Sequence, residues 1–138
     1  MRARAILILS LAVPSACAPV VTPEPFLSVG LTVAQAGTAA FRQGELSAAL
    51  RHPLNDLHHA ALAALERLQI PLETADLDDR RSVITAREAG GALIEINIAP
   101  VSPVVSTLSI KVGLFGDQPL SRLLLDEIMV VLGNNPGA

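Results

Sequence analysis

The stretch Ala92–Ile98 limits this chain most, because Ile94, Ile96 and Ile98 alternate with Glu95 and Asn97. A period of two sends the isoleucines to one side of an extended strand and the polar side chains to the other. That is the pattern of a sheet covered on one face, and such sheets are normally antiparallel. Val104–Val112 repeats it, with Leu108, Ile110 and Val112 inward and Thr107, Ser109 and Lys111 outward. An earlier strand runs through Ile84 and Ala86, and its register can be set on paper. Pairing Ile84 with Ile96 and Ala86 with Ile94 leaves Ala89-Gly90-Gly91 as a three-residue loop, with a glycine in the left-handed position. A two-residue Gly90-Gly91 turn would instead put Arg87 opposite Ile94, on the core side.

The flanking segments extend this sheet. Leu46, Ala48 and Leu50 alternate as a short strand. Pro53 opens a helix to about Leu68, which gathers Leu54, Leu57, Ala61, Ala64, Leu65 and Leu68 in one arc and sets Asn55, Asp56, His59, Glu66 and Arg67 opposite. Pro71–Leu77 is expected as a strand, Asp78–Arg81 as a charged turn and Pro100–Pro103 as another turn. A last helix runs from about Gln118 to Leu132, with Asp117 as its N-cap, Pro119 in its first turn and Gly133 ending it. The expected fold is α+β: a two-layer sandwich, β-α-β-β-β-β-α, with an antiparallel sheet and both helices on one face. It occupies residues 41–133, followed by a tail over 134–138.

The N-terminus has the plan of a signal peptide over residues 1–16: Arg2 and Arg4, a nine-residue run from Ala5 to Val13 that is apolar apart from Ser10, then small residues before Cys17. As a helix that run spans about 14 Å, half of a hydrocarbon core of roughly 30 Å, so it is too short to remain a membrane span. Ser15-Ala16-Cys17 resembles a bacterial lipobox, in which the cysteine takes a diacylglycerol thioether and becomes the mature N-terminus. Pro14 stands where that pattern usually has leucine. The rival is ordinary cleavage at Ala16-Cys17-Ala18, which would put Pro19 just after the cut bond. Lipidation implies permanent attachment through acyl chains such as palmitate, at about 0.8 kcal/mol per buried CH₂. Ala18 follows the cysteine where an aspartate would signal inner-membrane retention, so the resemblance implies the periplasmic face of the outer membrane. Residues 17–25, with three prolines, read as anchor and tether, and residues 26–40 as an uncharged Gly/Ala/Val-rich segment with no assigned conformation.

From Phe41 to Ile128 the chain resembles a family of short bacterial lipoproteins known mainly as a domain of unknown function. The marks are Phe41-Arg42-Gln43-Gly44-Glu45-Leu46, the alanine-rich helix Ala60–Leu65, and Ile110-Lys111-Val112-Gly113-Leu114-Phe115-Gly116-Asp117 with Ser121 after it. The last is a C-terminal [R/K]VGxFGD signature, with lysine here. The resemblance implies an envelope protein and carries no activity.

Composition and spacing argue against most chemistry. Without residues 1–16 the formal charge goes from −3 to −5, and three phenylalanines are the whole aromatic content, so neither a basic footprint nor a stacking platform for nucleic acid exists. With Cys17 as the single cysteine there is no intrachain disulfide. Gly113-Leu114-Phe115-Gly116 sits between strand and helix as phosphate loops do, but it lacks their lysine, and Asp117 would compete with an anion at the helix N-terminus. It is expected to be a tight turn, with Gly113, Gly116 and Asp117 as turn and cap. His52, His58 and His59 lack the i,i+4 spacing of a helical metal site. Asp76, Asp78 and Asp79 lack the glycine and distal glutamate of a calcium loop. No metal, cofactor or catalytic activity is therefore expected.

The last helix is apolar over roughly 260° of its circumference, against a stripe of about 100° for ordinary packing. Leu125 and Met129 are expected to project from it, toward a protein partner, a second copy in a homodimer, or the segment before Phe41 folding back. The expected function is a non-enzymatic interaction or assembly module anchored to a bilayer. The alternative is a carrier of small apolar ligands or lipids, held between the last helix and the sheet.

Overall fold

Residues 39–133 are the part of the chain that the computed structural model describes. The signal peptide, the anchor at Cys17, the tether, the segment up to Thr38 and the tail over 134–138 all lie outside it. In order the elements are β1 (Ala39–Arg42), β2 (Glu45–Leu50), α1 (Leu54–Arg67), β3 (Leu72–Leu77), β4 (Ser82–Arg87), β5 (Leu93–Ser102), β6 (Val105–Val112) and α2 (Gln118–Gly133). The strands form one sheet in the order β1-β2-β6-β5-β4-β3, and every neighbouring pair is antiparallel. The expected β-α-β-β-β-β-α order is present, preceded by the short extra strand β1.

Alternation builds the core. Leu46, Ile84, Ile94, Ile96, Ile98, Leu108 and Ile110 point to one face of the sheet and are sealed beneath the helices. From above, α1 contributes Leu57, Ala61, Ala64 and Leu65, and α2 contributes Leu124, Ile128 and Leu132. The small alanines let α1 lie close to the strands. These side chains fill the layer between α2 and the sheet that a carrier would use for cargo.

The β4–β5 register pairs Ile84 with Ile96 and Ala86 with Ile94, the pairing that keeps Arg87 off the core side. Glu88 N–H donates to the Ala92 carbonyl at 3.0 Å across the loop, and Gly91 holds the left-handed conformation at φ +93°. The turn expected over Pro100–Pro103 is displaced: β5 continues to Ser102, with a register irregularity between Pro100 and Ser102. The physical reason is that β4 ends at Ser82, opposite Ile98. Beyond that point the β4 side of β5 has no strand to receive an N–H, and a proline costs nothing there.

Two edges bound the sheet. β3 carries Glu73 and Asp76, follows Pro71, and breaks register between Leu72 and Thr74, all features that discourage further strand pairing. β1 is four residues long and has only Arg42 as a charge.

Candidate functional site

Two of the sequence marks, far apart in the chain, meet at one end of the sheet. Gln43 and Gly44, at φ +53° and +83°, make the two-residue turn between β1 and β2. Positive φ at both central positions is the type I′ geometry that suits a hairpin's twist. On the other side, Gly113 (φ +66°) leaves β6 and Gly116 (φ +83°) leads into α2. The backbones of the two turns pack directly against each other. A Cβ on Gly44 would lie 2.5 Å from the Phe115 carbonyl oxygen, and a Cβ on Gly116 would overlap the Gly44 backbone. Each glycine therefore serves twice, giving the turn its φ and leaving the other turn room to approach.

Further bonds fix this corner. Gly113 N–H donates to the Leu93 carbonyl at 2.8 Å, tying the start of the turn to β5. The Asp117 carboxylate accepts from Leu120 N–H at 2.9 Å, and its carbonyl accepts from Ser121 N–H, which starts α2. A carboxylate at that position satisfies an orphan donor and meets the positive end of the helix.

The turn between Gly113 and Gly116 holds out two apolar side chains. Leu114 is 80% exposed and Phe115 87% exposed. A four-residue turn pinned by glycine at both ends is too short to fold either side chain back onto the core. Beside it opens a cleft of about 700 Å³ lined by Arg87, Leu93, Glu95, Lys111, Gly113 and Leu114. Arg87 donates from Nε to Glu73 at 2.6 Å and from Nη1 to the Gly91 carbonyl at 3.0 Å. Glu73 in turn raises the guanidinium's affinity for its proton. The cleft thus joins an apolar lip to a floor of mixed charge.

The other candidate residues are placed as follows. Leu125 is only 7% exposed, because α2 packs over β2 as well as β6 and buries a wider arc than a single-strand contact would. Met129 is 40% exposed, so of that pair Met129 alone offers surface. His58 is buried at 6% exposure and shares a 2.7 Å hydrogen bond between Nδ1 and the Ser82 hydroxyl. Burial, then the adjacent His59, hold its pKa below the ordinary value. Ser82 is fully buried, so this pair links α1 to β4 and presents no nucleophile to solvent. Asp78 accepts from the backbone N–H groups of Arg80 and Arg81, which lower its pKa and close the β3–β4 turn. Among the described residues no three His, Cys, Asp or Glu side chains are grouped to hold a metal ion.

A family model described as a protein of unknown function, DUF3568, matches residues 3–130. The chain belongs to the DUF3568 family. The DUF3568 match takes in Cys17 and both glycine turns. A search of curated proteins found no match.

Gly113, Gly116 and Asp117 were legible in the sequence as turn and cap, whereas Leu114 and Phe115 between them had no assigned role. The signal was present: two apolar residues between glycines, in a turn with no slack, must face outward.

Proposed function

We propose that this DUF3568 chain is a lipid-anchored module of the bacterial cell envelope, attached through Cys17 at the periplasmic face of the outer membrane, and that it works by binding another protein and not by catalysis. The observation that carries the binding half is Phe115, an almost fully exposed ring on a turn whose backbone packs directly against the β1–β2 turn. A preorganised aromatic with an apolar neighbour is the usual anchor of an interface, since little freedom is lost when it docks. Burying Leu114 and Phe115 would contribute about 1.5–3 kcal/mol each. Together that corresponds to roughly a hundredfold to ten-thousandfold in affinity. The anchoring half is supported by Arg2, Arg4, the short apolar run and the small residues before Cys17.

A photoreactive phenylalanine analogue in place of Phe115, in full-length chain expressed in bacteria, tests the first half against the same analogue at exposed Asp79. A discrete protein adduct from position 115 and none from position 79 is expected. No adduct, or an adduct to lipid alone, would overturn the proposal. Mass spectrometry tests the second half: the mature chain should begin at an acylated Cys17, and a chain beginning at Pro19 without fatty acid removes the anchor.

A further inference from the structure

The end of the sheet opposite the glycine corner is formed by the β5–β6 hairpin. β4 pairs with β5 only as far as Ile98, and β2 pairs with β6 only as far as Ser106, so Val101–Val105 run past both neighbours. Val101 is the extra residue in the register shift after Pro100, and Pro103 and Val104 make the two-residue turn. The tip is apolar and open. Val101 is 67% exposed and Val104 64% exposed, and Ala99, Pro100 and Pro103 are exposed beside them. From Ile96 to Ile110 no residue is charged.

The hairpin also satisfies much of its own polar backbone. Pro100 and Pro103 have no N–H to hydrate. Val104 N–H donates to the Ser102 hydroxyl at 3.3 Å, and the Thr107 hydroxyl donates to the Ala99 carbonyl at 3.2 Å. A protein partner gains specificity from directional and charged groups, and this tip offers few of the first and none of the second. The interfacial layer of a bilayer needs something different: apolar area, with few backbone donors left without partners. Two valines and two prolines meet both conditions.

Charge around the tip is balanced. The loop after β2 and the β3–β4 turn, both at this end, bring Arg51, Arg80 and Arg81, against Asp78 and Asp79 in that turn and Asp56 in the first turn of α1. Attraction to lipid headgroups is therefore small, and apolar contact has to supply the affinity. β1 adds a direction. It starts at Ala39, opposite Ala48, and runs toward the corner, so the chain enters the described fold from the side of the hairpin tip.

We propose that the β5–β6 hairpin tip, led by Val101 and Val104, is a lipid-contact site that seats in the interfacial layer of a bilayer. It gives the fold a second, shallow attachment beside the anchor at Cys17, and in that respect it rests on the lipoprotein reading above. Orientation follows from β6. Its eight residues separate the tip from the corner by roughly 27 Å at about 3.4 Å per residue. Leu114 and Phe115 then face away from the bilayer, and their protein partner approaches from the aqueous side.

The full-length chain, carrying an environment-sensitive fluorescent amino acid in place of Val104, tests the contact in vesicles of phosphatidylethanolamine and phosphatidylglycerol. Part of the lipid bears a nitroxide quencher on its acyl chain, and the same amino acid in place of Leu114 is the reference. Quenching should be several-fold stronger at 104 than at 114, and it should persist in about 0.5 M salt, where exposed charges are screened. Val101→Asp should weaken it roughly tenfold, the factor expected for losing the burial of one valine. Equal quenching at the two positions, none at 104, or quenching abolished by salt overturns the proposal. Mass spectrometry of the same chain shows whether Cys17 is acylated. An acylated chain unquenched at 104 keeps the anchor and loses the tip, whereas an unacylated chain quenched at 104 at high lipid concentration loses the anchor and keeps the tip. A photoreactive analogue at Val104 in bacteria should give lipid adducts, and a discrete protein adduct there assigns the tip to a protein and overturns the proposal.

Discussion

The contact between the two glycine turns can be measured by comparing two Gly→Ala variants. Gly91 and Gly116 both sit at positive φ, +93° and +83°, so alanine at either costs about 1–2 kcal/mol for a left-handed backbone. Nothing lies within 4 Å of a Cβ on Gly91, whereas one on Gly116 would overlap the Cα and carbonyl of Gly44. That overlap is with backbone, so no rotamer change relieves it, and forcing the turns apart should cost a further 1–3 kcal/mol or about that. Urea titrations followed by circular dichroism should show unchanged slopes and a larger midpoint loss for Gly116→Ala. In melting temperature each kcal/mol is about 4–8 °C for a domain of this size. The double variant Gly44→Ala, Gly116→Ala should lose less than the sum of the singles, because the second methyl enters a contact already opened. Equal losses at Gly91 and Gly116, within about 0.5 kcal/mol, would refute the argument that the two turns lock one another.

Two further predictions concern the helices. The His58 imidazole is held below its ordinary pKa by burial and then by His59, whose ring centroid lies 5.4 Å away, so the unfolded chain takes up this proton first as the pH falls. Stability should be full above about 6.5, decline as the pH drops toward the folded-state pKa, and level off below it; His58→Gln should flatten that decline, and an unchanged slope in the variant would exclude His58 as its source. Leu125→Ala should cost about 2–5 kcal/mol in urea unfolding and Met129→Ala less than about 1 kcal/mol, with similar losses at the two positions counting against the observed burial.

Most of the sheet could be read from the chain because its core residues are long, apolar and strictly alternating. The β4–β5 register followed from one constraint, keeping Arg87 off the core side, and α1 followed from an arc that five buried residues fill. β1 escaped because Ala39-Ala40-Phe41-Arg42 has no polar alternation, and because Gln43 is an uncommon residue for a type I′ turn. Leu125 was misplaced because a helical wheel shows which residues are apolar but not how many strands the helix covers. The strand order, with β2 beside β6, depends on pairing across the whole chain and has no local signal. The meeting of Gly44 with Gly116 was hidden for the same reason, although each turn was visible in its own segment.

Two rows on the open face of the sheet offer a docking protein less than the corner does. One row across it runs Arg42, Glu45, Lys111 and Glu95, each paired in register with a neighbour of opposite charge. The next row runs Ala40, Ser47, Ser109 and Asn97, all small or polar. Such rows are well solvated, and cross-strand pairs of opposite charge contribute about 0.2–1 kcal/mol without help from a partner. A protein docking there would have to strip water from balanced charges and would gain little apolar area in return. At the corner the terms reverse: Leu114 and Phe115 have no charge to desolvate, and their backbone is already fixed. On the proposed function, variants that lose binding to a protein partner should fall at those two residues, and charge substitutions at Ser47, Ser109 or Asn97 should leave it within about twofold.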